Sequence, residues 1–381
     1  MIMSKVKIET LTPVHIGSGN MLYNGMDYVL RDGNAYMLDN NRLLDVIGAD
    51  KIDAWVAAIE RGENISDFIS RIGKNAHPRD YSRRSAVCYV TNSNTIKECI
   101  HDGRGVAYIP GSSIKGAIRT AILATEIKGN ERELNEKIDF RGGRFNSQAC
   151  NKVENTIFSK PAPAGVKGVT ESNTSCMRFL QVGDAFFEGR CESILNAINL
   201  NIRENKDSLL DKKKSQAIET LDAGVETVFD LRLKTDALPL KSSMVRPLPA
   251  SMKSLPALFA AINNHTISLL KEELEYWKDI SEEIGGAESY IEFIEDILRE
   301  AEEIQRSKKE ECILRVGHAS GWRFTTGAWT EKLDCFDNKI VPMSRPNNSN
   351  YIQYDFPKSR RVYEIEGGEV DVLGFVKLTL I

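Results

Sequence analysis

The chain has 381 residues, of which 41% are hydrophobic and 27% are charged, and its formal net charge is −4. This length predicts two domains or one elaborated pair, and the composition is that of an ordinary soluble globular protein. No apolar run approaches the roughly 20 residues of a membrane span, and the N-terminus predicts a strand rather than a signal peptide, so we expect a cytoplasmic protein that binds no membrane.

The N-terminal part predicts strands, a hairpin and a helical region. The alternation from Val6 to Leu11 predicts a strand, which leads into a glycine-serine loop at Gly17–Gly19. An Asp-Gly pair at positions 32 and 33 predicts the turn of a hairpin. The pattern then predicts a helical region, a basic polar stretch and a strand, at residues 43–71, 79–84 and 86–92.

Residues 108–123, YIPGSSIKGAIRTAIL, predict a turn followed by a half-buried helix with Ser112 or Ser113 as its N-cap. Lys115 and Arg119 lie four residues apart on its polar face, close to the positive end of the helix dipole. The first acid downstream is Glu126, beyond easy reach. This placement favours a bound anion such as phosphate, although a plain solvated face would also explain it. The spacing does not match a nucleotide P-loop.

The remaining segments continue the alternation of strands and helices. Residues 151–175 predict a mobile loop, and a strand pair is expected around Gly183 and Asp184. Further elements are a strand, a long helical region broken at two glycines, a strand with a glycine-rich loop and a helix, and a basic turn with a final strand, at residues 223–234, 255–310, 312–329 and 357–381.

The negative charge is concentrated in one helical segment. Residues 271–311 contain 15 acidic and 6 basic residues, so the other 340 residues carry a net charge of +5. A basic surface that follows a nucleic-acid backbone is therefore compatible with the acidic pI. The segment itself is either a solvated helical pair or a docking face for a basic partner.

Both halves of the chain show the same coarse order of strand, helical insertion, glycine-rich loop, basic stretch and strand. This order predicts an α+β protein with two related units, each resembling the ferredoxin-like split βαβ arrangement. We place the boundary between residues 225 and 226, with an N-terminal domain at 1–225 and a C-terminal domain at 226–381 that carries the acidic helical insertion.

Three glycine-rich loops are candidate phosphate-binding sites, at Gly17–Gly19, Pro110–Ser113 and Gly317–Trp322. Each is weak evidence alone, because such a loop can also simply turn the chain. Basic residues accompany the loops, namely Lys115, Arg119, Arg323, Lys358, Arg360 and Arg361. Trp322 and Trp329 either stack on bases or belong to the core.

The sequence shows no good catalytic site. His15, beside the first loop, is either a general base or a structural residue. Asp184, Asp222 and Asp236 are isolated acids that no pattern pairs, and no hydrolase, zinc-protease or Cys/His motif occurs. The seven cysteines form no CxxC pair and the five histidines are dispersed, so we expect no disulfide framework, metal or cofactor.

Four segments together resemble the RAMP superfamily of CRISPR-associated RNA-binding proteins, and more narrowly the family of fifth subunits of type III-A (Csm) effector complexes. The segments are LTPVHIGSG at 11–19, YIPGSSIKGAIRTAIL at 108–123, LRVGHASGW at 314–322, and PKSRRVYE at 357–364 with the terminal LGFVKLTL. Their order and spacing cover nearly the whole chain. The acidic helices and the loop at 151–175 lie outside them.

The resemblance implies two ferredoxin-like (RRM-type) domains with helical insertions, in a subunit at the head of the backbone filament. It implies as partners the guide (CRISPR) RNA near its 3′ end, other type III-A subunits, chiefly the repeated backbone subunit, and host nucleases that mature the guide. The residues implied to face the guide are Gly17, Ser18, Gly19, Gly111, Ser112, Ser113, Lys115 and Arg119, with Gly317, Ser320 and Gly321 from the third loop. Backbone contacts suit a protein that accepts any guide sequence.

Three functions remain open on the sequence. The first is a non-catalytic, RNA-binding assembly subunit. The alternative is an endoribonuclease that itself trims or cleaves guide RNA with His15. The third is a scaffold that binds only partner proteins, and such a scaffold would show no salt-dependent affinity for RNA.

Overall fold

A computed structural model describes residues 4–91, 93–129, 131–140, 149–161, 171–202, 208–234, 245–344, 356–365 and 368–381. Asp236, one of the isolated acids, and residues 162–170 of the predicted mobile loop lie outside these ranges. No helix among the described residues is long and apolar enough to cross a membrane.

The strands are short except for two long neighbours in the middle of the chain. They are β1 Ser4–Thr10, β2 Gly17–Tyr23, β3 Tyr28–Arg31, β4 Asn34–Leu38, β5 Ser82–Cys88, β6 Thr95–Cys99, β7 Ala107–Ile109, β8 Leu180–Val182, β9 Ala185–Phe187, β10 Glu192–Asn201, β11 Leu210–Leu221, β12 Glu226–Leu233, β13 Glu311–Arg315, β14 Ser359–Glu364, β15 Val370–Asp371 and β16 Phe375–Leu380. The hairpin predicted at Asp32 and Gly33 is confirmed as β3–β4.

The helices range from a single turn to 27 residues. They are α1 Asn40–Ile47, α2 Ile52–Glu60, α3 Ile65–Arg71, α4 Gly111–Ile127, α5 Glu131–Asn135, α6 Asn151–Phe158, α7 Glu171–Thr174, α8 Leu255–Ser281, α9 Glu288–Ser307 and α10 Val341–Ser344. Helix α6 corrects the prediction of a loop from residue 151, because Val153 and Phe158 give this charged segment a buried apolar side.

One sheet is antiparallel, with the strand order β13-β16-β1-β12-β8. Val6 and Ile8 on its central strand are fully buried. They share one core with the apolar stripe of α4, including Ile114 and Ile118, and with Phe259 of α8. This packing fixes the N-terminal turn of α4, which carries the second glycine-rich loop.

A second, mixed sheet follows the order β2-β6-β11-β10-β5-β4-β3, and β14 and β15 attach beside β10. Its β6–β11 and β10–β5 pairs are parallel. A bulge between Ala197 and Asn199 interrupts the pairing of the two long strands β10 and β11. The first glycine-rich loop lies at one end of this sheet, where β2 begins.

The predicted α+β class is confirmed. Strands from both sides of the boundary at residues 225 and 226 share each sheet, since β1 pairs with β12 and β10 pairs with β14. The division into domains 1–225 and 226–381, and the assignment of two ferredoxin-like units, stay predictions.

The acidic segment forms an antiparallel helical hairpin, α8–α9, broken near Gly285 and Gly286 as the sequence predicts. Its inner face is apolar and packs against the sheet residues Ile198 and Phe375. One acid points inward: Glu273 is fully buried and pairs with Arg323 and Arg360. Most of the other acids are exposed, so the hairpin has a charged outer face, and both interpretations of the segment, a solvated helical pair and a docking face for a basic partner, stay predictions.

A candidate nucleic-acid interface

The first and third glycine-rich loops meet, although they come from opposite ends of the chain. The backbone N–H of His318 donates to the carbonyl oxygen of His15 over 2.8 Å. Gly317 has a φ of +78°, and a Cβ added there would lie 2.5 Å from the same oxygen. Only glycine allows both this backbone conformation and this approach. The structure thus brings together two of the three loops that the sequence singled out.

The rim of this junction is open to solvent. Gly17, Gly19 and Gly317 are exposed, and nothing lies within 4 Å of a Cβ built on Gly19. The hydroxyl of Ser18 donates to the carboxylate of Glu98 over 3.0 Å, which fixes the loop on strand β6. A polymer backbone can therefore approach the loop closely at Gly19.

Ser320 and Gly321 of the third loop are both half-buried. The Ser320 hydroxyl donates to the carbonyl oxygen of Gly317 over 2.8 Å, so it stabilises the loop itself. Gly321 has a φ of +73° and lies beside Arg360. These two residues shape the loop, and its exposed part is Gly317.

Two cations lie beside the junction, Lys97 of β6 and Arg361 of β14, and the charge of each lowers the pKa of His318. Among the described residues, neither forms an ion pair with a carboxylate, and Arg361 donates only to the oxygens of Asn199 and Lys214. Sequence reasoning did not single out Lys97. Its strand position in TIKEC, opposite Ile218 in the neighbouring strand, places it on a sheet face, but a lone lysine carries no stronger signal.

The histidines beneath the junction are held as neutral structural groups. His15 is only 2% exposed. Its Nδ1 lies 2.6 Å from the carbonyl oxygen of Glu219, and its ring meets the edge of His318. Burial lowers the pKa of both imidazoles, that of His318 to about 4 with further help from His15 and Lys97. Neither ring is placed to reach an RNA hydroxyl.

Because the two histidines are neutral and largely buried, we expect the folded chain to lose stability as the pH falls. A histidine whose pKa falls from 6.5 to about 4 on folding contributes stability above pH 6.5, which is lost as the pH falls towards 4. Between pH 7.5 and 5, we expect the unaltered chain to lose about 1–2 kcal/mol more unfolding free energy than the His318→Gln variant. Urea unfolding at the two pH values measures the difference. Equal losses would show that His318 does not titrate on unfolding.

The second loop begins helix α4 in a way that the sequence did not predict. Pro110, rather than Ser112 or Ser113, is the N-cap, and it makes no side-chain cap hydrogen bond. The N–H of Gly111 instead donates to the carboxylate of Asp184 over 2.7 Å. A Cβ on Gly111 would lie 2.3 Å from the carbonyl oxygen of Val182, so the helix end is packed against the β8–β9 turn.

Lys115 and Arg119 have partners within the protein, which corrects the expectation of unpaired cations. The Lys115 ammonium donates to the carbonyl oxygen of Leu180 over 2.7 Å, and burial lowers its pKa. Arg119 pairs with Glu154 of helix α6 and lies 5.1 Å from the ring centre of Phe158. These partners are remote in sequence, so inspection of neighbouring residues could not find them. The expectation that both cations face RNA stays a prediction, and its electrostatic argument is weakened for Arg119, which has a carboxylate partner.

The second loop is linked to the first only indirectly. The N–H of Ile100 donates to the carbonyl oxygen of Ile16 over 2.8 Å, and the N–H of Tyr108 donates to the carbonyl oxygen of Ile100 over 3.5 Å. Through these hydrogen bonds, strand β7, which ends just before Pro110, links the second loop to the segment beside the first loop. Ser112 is exposed and Ser113 half-buried at this end of α4.

Several basic and aromatic candidates belong to the interior instead. Arg323, Lys358 and Arg360 are each less than 10% exposed. Trp329 belongs to the main core, and Trp322 packs against that core at Phe336 and Phe356. The predicted basic turn is strand β14, whose alternation directs Arg360 inward and leaves Arg361 half-buried.

One cavity is lined by both acidic and basic residues. Its volume is about 600 Å³, and it lies between α4, α8 and residues 323–332. The charged residues of its lining are Glu272, Glu275, Asp279, Glu331, Lys128, Arg323 and Lys332. Within the described ranges, His101, Glu192 and Glu219 offer ligand atoms within 4.8 Å of one another. The guanidinium of Arg84 already pairs with Glu219, and His101 pairs with Glu192, so the cluster is satisfied without a metal.

A model of the RAMP superfamily matches residues 7–324 of the chain. A Methanocaldococcus jannaschii protein named CRISPR system Cms protein Csm5 is 24% identical over an alignment that covers 100% of this chain and 90% of that protein. A Streptococcus thermophilus protein of the same name is 28% identical over 39% of this chain and 44% of its own length.

Solved structures share the fold. One chain of a cryo-EM structure of a Csm–crRNA–target RNA ternary complex from a type III-A CRISPR-Cas system matches with a TM-score of 0.68 and 20% identity, and each chain is covered completely. The crystal structure of T. onnurineus Csm5 matches with a TM-score of 0.62 and 20% identity over 97% of this chain and 99% of that one. These comparisons confirm the resemblance inferred from the four segments.

Proposed function

The chain belongs to the RAMP superfamily, and we propose that it is a non-catalytic, RNA-binding subunit of a type III-A CRISPR effector complex. Its full-length similarity to proteins named Csm5 supports this assignment. By the same resemblance it caps the backbone filament at the 3′ end of the guide RNA, contacts the repeated backbone subunit, and supports guide maturation with host nucleases. We also propose that the chain contains two ferredoxin-like units and that the protein is located in the cytoplasm.

The junction of the first and third loops is the observation that carries the proposal. Exposed glycines at Gly17, Gly19 and Gly317 leave backbone accessible, and Lys97 and Arg361 supply positive charge beside it. Such a surface contacts sugar and phosphate, not base edges, so it holds RNA without selecting a sequence. A guide-binding subunit needs this property, because base pairing reads the target.

The geometry gives no support to an endoribonuclease that uses His15. A general base must reach the proton that it removes, within about 2.6–3.2 Å or through one water. His15 is 2% exposed, and its Nδ1 is occupied by the carbonyl oxygen of Glu219. The carboxylate of Asp184 accepts a hydrogen bond from the N–H of Gly111, so this residue also has a structural role.

The proposal predicts that charge reversal at Lys97 weakens RNA retention. In effector complexes that are assembled with the Lys97→Glu subunit, we expect the apparent Kd for guide RNA to rise about tenfold near physiological salt. The reason is that one phosphate contact is replaced by repulsion. Salt titration of the guide retained by affinity-purified complexes measures the change.

Two variants serve as controls. Lys97→Arg keeps the charge and should retain RNA as the unaltered subunit does. Lys271→Glu makes the same charge change on the exposed face of α8, where Lys271 pairs with Glu302, and should leave retention unchanged. If Lys97→Glu and Lys271→Glu behaved alike, the junction would not be the RNA-binding surface.

A further inference from the structure

A cavity of about 300 Å³ lies where helix α1 approaches the end of the mixed sheet. Five of its lining residues are arginines, and we call it the arginine cavity: Arg42, Arg79, Arg83, Arg84 and Arg190. Glu192 is the only acid among its lining residues within the described ranges, and that carboxylate already pairs with His101 over 2.7 Å. In the sequence, residues 79–84 were recognised only as a basic stretch, and we assigned them no role.

Two of the five arginines are neutralised by the protein. Arg84 pairs with the buried carboxylate of Glu219, and Arg83 lies 3.1 Å from Glu98. The other three are exposed and pair with no carboxylate among the described residues. Arg42 is oriented by a 2.7 Å hydrogen bond from its guanidinium to the carbonyl oxygen of Ser82.

The three unneutralised guanidiniums come from separate segments. Arg42 belongs to α1, Arg79 to the 3₁₀ turn Pro78–Tyr81, and Arg190 to the turn before β10. Like charges that converge on one concave space repel one another, and the repulsion is relieved when an anion enters. Planar guanidiniums match a phosphate with paired N–H donors, so phosphate is the anion that fits best.

The arginine cavity is connected to the loop junction through one carboxylate. Glu98 accepts from the hydroxyl of Ser18 and from the side-chain amide of Asn20, both over 3.0 Å. The same carboxylate accepts from Arg83 and Arg84 at the wall of the cavity. The first loop and the wall of the cavity therefore lie on either side of the same Glu98 side chain.

We propose that the arginine cavity binds a phosphate group of the RNA strand whose path begins at the junction of the first and third loops. The inference rests on the proposed function, because it extends the RNA path of that surface. The cavity is at the lower end of ligand-site volumes, and it accommodates a single backbone phosphate with its sugar rather than a folded segment of protein.

The test is binding of a labelled single-stranded RNA to the purified full-length chain at several salt concentrations. We expect Arg79→Ala with Arg190→Ala to raise the Kd about tenfold. The slope of log Kd against log salt should fall by about 0.7, since the cavity holds one phosphate and each phosphate contact on a single strand contributes about 0.7. The matched control is Arg299→Ala with Arg306→Ala, which removes two exposed arginines from helix α9.

The outcomes separate the cavity from the proposed function. If the unaltered chain binds RNA and the double variant binds equally well, the cavity is not on the RNA path, but the junction remains. If the unaltered chain binds no RNA, both proposals fall. Competition by inorganic phosphate or by an acidic peptide at the same concentration as RNA would also overturn the inference, because it would show a general anion site. A loss in Arg299→Ala with Arg306→Ala of the same size would do so too.

Discussion

Replacing Glu273 by glutamine is expected to lower the free energy of unfolding by about 3–5 kcal/mol. Glu273, on helix α8 of the acidic hairpin, is fully buried and faces Arg360 of strand β14. Its carboxylate lies 2.7 Å from Nη2 of Arg360 and 3.0 Å from Nη1 of Arg323. The Glu273→Gln variant would leave the buried guanidinium of Arg360 without a carboxylate partner among the described residues, and it would leave Arg323 with Glu331 alone.

The side chains around Glu273 explain its ionisation. Burial alone would raise the pKa of this carboxyl, but Arg360 and Arg323 outweigh burial and hold the pKa at about 2. Trp277 and Tyr290 also donate to the carboxylate. The stability from this ionisation is therefore complete above pH 4.5 and is lost as the pH falls through 2. In Glu273→Gln that part of the acid dependence should be absent.

Urea unfolding at neutral pH measures the predicted loss. The matched control is Glu295→Gln on helix α9, because the Glu295 side chain is 40% exposed and pairs with Lys278 at the surface. We expect that change to stay within about 0.5 kcal/mol. If both variants lost the same small amount, the buried ion cluster would contribute nothing beyond a surface pair.

The second large effect is expected for Gly317→Ala, at about 2–4 kcal/mol. The left-handed backbone at Gly317 costs an alanine about 1–2 kcal/mol. In addition, the new Cβ would lie 2.5 Å from the carbonyl oxygen of His15, so one loop must move. We therefore expect RNA retention to fall together with stability, because the junction opens.

The Gly224→Ala variant is the control that separates the cost of the left-handed backbone from the cost of the steric clash. Gly224 has a φ of +77°, nearly that of Gly317, and nothing lies within 4 Å of its added Cβ. Thermal unfolding and guide retention should therefore show the larger loss only in Gly317→Ala. Equal losses of stability, with RNA retention intact in both variants, would mean that the two loops need not touch.

The sequence was a good guide where a local pattern determines the structure. The Asp32-Gly33 hairpin, the apolar stripe of α4 and the break between α8 and α9 all follow from neighbouring residues. The four-segment resemblance also predicted the superfamily, and it named two loops that the fold brings together.

The sequence was a poor guide where tertiary contacts decide. The sequence showed no acid near Arg119 and placed Arg360 among the basic residues beside the loops, but their partners Glu154 and Glu273 are far away along the chain. The strand order also mixes the two halves, because burial of sheet faces, and not chain order, selects the pairs. The arginine cavity was missed for the same reason, since three separate segments contribute its unneutralised charges.

The most direct test of the RNA-binding assignment is purification of the tagged chain from its native cell, followed by sequencing of bound RNA and identification of bound proteins. We expect guide RNA of defined length, with repeat-derived sequence, together with other effector subunits. If the chain were purified alone and free of RNA, this result would contradict the RNA-binding assignment, and the glycine-rich loops would then be ordinary turns of the fold.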